Sequence, residues 1–138
     1  MTNADAVIEV AIALVWKDAQ LLIQRRPLEG HLPGVWEFPG GKLEPGEKVD
    51  VCVAREVWEE VGVVCSPRAR RSPIDHVYPD RRVRLYPVDC DWVRGIPEAR
   101  SAREVLWIAP GALWQYDFPA ANAALVRSLV KEAASLPM

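Results

Sequence analysis

The stretch from Gly41 to Val63, GKLEPGEKVDVCVAREVWEEVGV, constrains this chain more than any other. Val49 to Val61 carries no Gly or Pro, and Gly62 stands where a left-handed residue ends a helix. The segment therefore predicts a helix closed by Gly62. Val49, Val53, Val57 and Val61 recur every four residues and form the apolar stripe that packs such a helix on a sheet. Glu56, Glu59 and Glu60 fall at i, i+3 and i+4, so they project from one face. Like-charged pairs at that spacing each cost a helix roughly 0.2–0.5 kcal/mol, and the crowding is best tolerated around a cation. The donors are oxygens, with neither a Cys ligand pattern nor an HExxH pair, which suits Mg²⁺ or Mn²⁺. A bare ExxEE face is usually just solvated. Here Pro39-Gly40-Gly41 and Glu47 precede it, and Arg55 can pair with Glu59 or another carboxylate, which turns the balance toward a metal site.

This spacing of Gly41, Glu47, Arg55-Glu56, Glu59-Glu60 and Gly62 resembles the Nudix box. The similarity covers roughly Val7 to Leu129 and includes QRR at 24–26, WEFPGGK at 36–42, YPDR at 78–81 and DFPAAN at 117–122. Those pieces resemble the MutT branch of the Nudix family. The resemblance implies an α+β Nudix fold, a mixed β-sheet between helices with the box as a loop–helix–loop. It also implies hydrolysis of nucleoside triphosphates, notably oxidised guanine nucleotides, to monophosphate and pyrophosphate. By the same match Glu56, Glu59 and Glu60 hold Mg²⁺ with the carbonyl of Gly40 or Gly41, while Glu47 and Arg55 support them. Glu104 matches a further acidic residue facing the box, as an extra ligand or general base, with Glu60 the rival base. Asn122 would read the purine edge, and Arg26, His31, Phe38, Tyr78 and Asp80 would surround the nucleotide. Tyr78 stands where such proteins often have Phe, and Ala120 where a second proline is usual; both departures bear on base preference.

Elsewhere the pattern is that of one ordinary domain, residues 1–138. Val7–Trp16 is almost uniformly apolar and predicts a strand buried on both faces, with Gln20–Arg26 as its hairpin partner. Ser66–Pro73 reads as an exposed loop or strand margin. Ile74–Tyr78 and Arg82–Trp92 read as strands joined around Pro79-Asp80-Arg81, and Pro87 predicts an edge position or a bulge. Glu104–Ile108 is a further strand. A last helix over roughly Ala120–Ala134 is expected, with Asp117 or a neighbour as cap and Leu125, Leu129 and Ala133 as its stripe. Tryptophans are assigned to the core by default. Trp58 is the exception, because it lies off the valine stripe and is a candidate dimer contact.

A net charge of −2 gives no support to coating a nucleic-acid polymer. No apolar run reaches the length of a membrane span, and the N-terminus lacks a basic n-region. Three cysteines without CxxC spacing fit a reducing compartment, so a cytoplasmic monomer or homodimer acting on a nucleotide is expected. Gly41-Lys42 lacks the upstream glycine of a P-loop. Two other readings stand beside the MutT one: a related hydrolase of pyrimidine triphosphates or another nucleoside-diphosphate-linked substrate, and a non-catalytic nucleotide-binding module. Retention of all four box glutamates and Arg55 weighs against the last.

Overall fold

The computed structural model describes residues 6–30 and 32–135. The organising strand is β1, Val7–Lys17, whose residues Ala11 to Val15 are all buried. Because side chains alternate along a strand, Ala11, Ala13 and Val15 enter one core and Ile12 and Leu14 the other. A two-residue turn at Asp18 (φ 51°) and Ala19 (φ 63°) folds the chain back into β2, Gln20–Arg25. Left-handed backbone at both central positions matches the right-handed twist of the paired strands.

β3 (Trp36–Glu37) pairs with β2, and β4 (Gly40–Lys42) pairs with the middle of β1. The expected helix, α1, spans Val49–Val61, and Gly62 closes it at φ 70°. All four stripe valines are buried in the core shared with Ala11, Ala13 and Val15. β5 is Val64–Arg70, β6 Ile74–Tyr78, β7 Arg81–Arg94 and β8 Glu104–Ile108. Short 3₁₀ turns at Pro110–Gln115 and Ala120–Asn122 lead into α2, Ala123–Ser135, where Leu125 and Leu129 are buried in the second core. The sheet order is β3-β2-β1-β7-β5, with β4, β6 and β8 alongside β1, β7 and β2. β1 and β7 run parallel from Val7↔Arg82 to Trp16↔Asp91, and the other pairs are antiparallel. The result is a mixed sheet covered by α1 on one face and α2 on the other, of the α+β class. Among the described residues no helix is long and apolar enough to cross a membrane.

Four expectations need correction. Ser66–Arg70 belongs to β5, whose bulged register against β7 accommodates Pro67. Pro87 lies in a central strand: β7 pairs with β6 up to Leu85 and with β5 from Val88, and Pro87 sits at the handover. Its carbonyl accepts the Arg71 N–H at 2.9 Å on that side, so the missing N–H faces the handover and leaves the pairing with β1 intact. Asp117 does not cap the last helix. The cap residue of the 3₁₀ turn is Pro119, with no side-chain bond, and the Asp117 carbonyl instead accepts the Trp36 N–H at 2.7 Å. Trp114 is exposed rather than core, as Trp58 is.

Candidate active site

β4 delivers Gly40 and Gly41 to the middle of β1, and the absence of side chains there is geometric necessity. A Cβ on Gly40 would collide with the Ala11 carbonyl, and one on Gly41 would lie 2.5 Å from the Glu56 carboxyl carbon. The glycines therefore let α1 press its carboxylates onto bare backbone.

Two differently built groups of carboxylates result. The first is knotted by Arg55. Its Nε and Nη2 donate to the two oxygens of Glu47 at 2.8 and 2.9 Å, a bidentate pair. Its Nη1 donates to Glu56 at 3.0 Å and Glu59 at 3.2 Å. The Arg55 hydrogen bonds, aided by the Glu44 N–H, hold the Glu47 carboxyl down at about 2, and the same bonds raise Arg55 above its ordinary range. Arg55 thus has Glu47 as its main partner as well as the expected Glu59.

The second group centres on Glu60. It accepts the Gly40 N–H at 2.8 Å and the Gln24 Nε2 at 3.2 Å. Burial pushes its carboxyl up to about 8, and the neighbouring Glu56 charge adds to this. Glu56 is also raised, first by burial, against the pull of Arg55. Gln24, 2% exposed, donates from the same nitrogen to Glu37 at 3.4 Å, and Arg26 reaches the other oxygen of Glu37 at 3.3 Å. Burial raises Glu37 as well, with Arg26 opposing it.

The C-terminus of α1 has no basic residue in its last turn. Arg100 supplies the charge from the β7–β8 connection, donating to the Trp58 carbonyl at 2.9 Å with its guanidinium over the Trp58 ring.

Glu104 opens β8 opposite Arg25 and forms an ion pair with it at 3.4 Å. Its hydrogen-bond partner is therefore Arg25 rather than a box residue. Among the described residues no three Asp, Glu, His or Cys side chains converge on one point as metal ligands.

A cavity of about 190 Å³ opens beside β1 and β7, lined by Tyr78, Arg81, Asn122, Leu32 and Lys42 among others. Asn122 is 8% exposed. The remaining expected nucleotide contacts disperse. Phe38 is buried against Phe118 at 5.0 Å, in the core and off this cavity. Asp80 is exposed in the β6–β7 turn, and Arg26 is engaged by Glu37. His31 lies outside the described residues.

Sequence reasoning passed over Gln24, Glu37, Lys42 and Arg100. For Gln24 the signal was present: it is the polar residue in LLIQ, on the face that β2 shares with Leu22, under α1.

A family model described as NUDIX domain matches residues 10–128. The chain belongs to the Nudix family. Among similar proteins, an 8-oxo-dGTP diphosphatase of Escherichia coli (strain K12) is 28% identical over 123 residues, covering 88% of this chain and 95% of that protein. A CTP pyrophosphohydrolase of the same strain is 27% identical over 131 residues, covering 95% and 97%. The solution structure of the E. coli ORF135 protein matches with a TM-score of 0.81 at 27% identity, covering 95% of this chain and 94% of that one. The protein is thus a Nudix hydrolase of MutT type, and the expected fold is the one observed.

Proposed function

We propose that this Nudix hydrolase is a divalent-metal-dependent nucleoside triphosphate pyrophosphohydrolase, releasing nucleoside monophosphate and pyrophosphate from oxidised dGTP-type nucleotides. The observation that carries the reading is the Glu56–Glu60 pair. Both carboxyls are raised by burial and by proximity to another carboxylate, and among the described residues the hydrogen-bond donors to Glu60 are neutral. Two neighbouring half-buried carboxylates whose charge is incompletely matched are the donor set a hard cation satisfies.

The residues fit Mg²⁺, with Mn²⁺ as a substitute: every candidate donor is oxygen, and the bare backbone of Gly41 lets the Glu56 carboxyl lie directly against it. Glu56, Glu59 and Glu60 would hold the ion, with the Gly40 or Gly41 carbonyl and Glu104 as further candidates. When bound, such an ion neutralises phosphate charge and activates water. Arg55, anchored by Glu47, fixes the position of Glu56 and Glu59 from outside. The Gly40 N–H holds one oxygen of Glu60 at 2.8 Å, and Glu60 is the candidate to accept a proton from the attacking water. Glu104 is the rival base and would first have to leave Arg25. Asn122, whose amide offers a donor and an acceptor, reads the base in the cavity shared with Tyr78 and Arg81.

A second substrate is favoured by one specific likeness: the CTP pyrophosphohydrolase match spans 95% of this chain. We also assign residues 1–138 to one domain. The assigned setting is the cytoplasm, where the three buried free cysteines would stay reduced, as a monomer or a homodimer.

The test is kcat/KM with Mg²⁺ for 8-oxo-dGTP, dGTP, dATP and CTP, with products resolved. A preference of about 10²-fold for 8-oxo-dGTP, about 2.7 kcal/mol of differential transition-state binding, supports the first substrate. A similar preference for CTP supports the second. No metal-dependent turnover of any of them overturns the reading.

A further inference from the structure

Gln24 is a buried amide that neither the fold nor the base-reading cavity uses. It stands on β2 directly opposite Glu37 of β3. Its alternation places it beneath α1, where Glu60 descends from the last turn. One nitrogen, carrying two protons, lies 3.2 Å from Glu60 and 3.4 Å from Glu37, so each carboxylate receives one N–H. The arrangement is chemically selective. An Arg or Lys here would neutralise the carboxylates and compete with a cation, and a Glu would add a third negative charge. Only an uncharged group with two donors on one atom satisfies both without changing the net charge.

In this orientation the amide turns its two N–H groups to the carboxyls and its carbonyl away from them. Its Oε1 is buried, and among the described residues no donor reaches it. A buried acceptor left unmet costs stability, and an apolar side chain of the same size would avoid that cost among the neighbouring leucines.

We propose that Gln24 is a positioning residue for the hydrolysis. It clamps Glu60 in the orientation in which it meets the cation and ties that orientation to Glu37 on β3. The inference rests on the metal-dependent reading above.

The test compares wild type with Gln24→Leu and Gln24→Asn; the second keeps an amide but is one methylene too short to span both carboxylates. Mn²⁺ binding is read by the free-ion electron paramagnetic resonance signal, folding by melting in EDTA, and catalysis as kcat and KM on the best triphosphate of the panel. Both variants should melt as folded proteins, bind Mn²⁺ about tenfold more weakly, and lose kcat while KM stays within about twofold. If Gln24→Leu does not fold, Gln24→Asn alone decides. Variants that bind Mn²⁺ and turn over as wild type does would overturn the inference and leave the metal reading intact. A wild-type protein that bound no Mn²⁺ would overturn both.

Discussion

The two halves of the carboxylate cluster are made of the same residue and behave oppositely. Glu47 lies under a bidentate guanidinium and is held at about 2. Among the described residues Glu60, in the last turn of α1, meets a backbone N–H and an amide, and burial lifts it to about 8. The side that has a permanent cation is structurally settled. The side that lacks one retains its demand for charge, and chemistry requires such a demand. The loop before α1 thus holds the anchored carboxylate and the last turn of α1 the reactive one, separated by whether a charged or a neutral donor reaches each.

The comparison is broken most sharply by neutralising each side in turn. Glu60→Gln should lower kcat by about 10²–10⁴-fold, whereas Glu47→Gln should cost about 10–100-fold, acting through Arg55. Equal losses in steady-state assays would mean that the two carboxylates share one role.

Next in size is the anchor itself. Arg55→Ala strips hydrogen bonds from Glu47, Glu56 and Glu59 and should reduce stability by about 1.5–3 kcal/mol in urea titrations. Arg55→Lys should recover little, because an ammonium cannot form the two-pronged pair with Glu47.

Metal-free stability against pH sharpens the contrast further. Glu60 is raised from 4.5, so its contribution is complete below about 4.5 and is lost as pH rises through about 8. Glu47 is depressed from the same value, so its contribution is complete above about 4.5 and is lost as pH falls through about 2. In EDTA, Glu60→Gln should gain on wild type as pH rises from about 5 to 8.5. Glu47→Gln should lose to wild type near neutrality and converge with it in acid. Chemical denaturation across pH reads both trends.

The smallest effect is expected at the helix end. Arg100→Ala removes the charge on the last carbonyls of α1 and should cost about 0.3–1 kcal/mol, visible as faster amide exchange over the final turn.

Much of this architecture was legible beforehand. Valine spacing and Gly62 specify α1 because both act locally, and the uniform apolarity of Ala11–Val15 specifies a strand covered on both faces. The box carboxylates were legible because three charges on one helical face demand an explanation. What was not legible depends on which strand stands next to which. Pro87 signals an edge only if a strand has the same neighbour along its whole length, and β7 changes neighbours at that residue. Gln24 and Glu37 meet through β2–β3 register, and Arg100 meets α1 through a long connection; sequence spacing encodes neither. Phe38 and Asp80 keep their motif company in sequence but diverge in space, one into the core and the other into solvent.

The parallel pairing of β1 with β7 has a consequence for how the protein is made. Trp16 waits for Asp91, and β2 and β4 cover only part of the other edge of β1. A nascent chain that has already emerged as far as α1 therefore carries every box glutamate while one entire side of its most apolar strand is still unpaired. Such late, long-range closure slows folding and leaves a sticky edge exposed. Ribosome-bound chains halted before β7 should accordingly recruit chaperones, and those halted after Arg94 should release them.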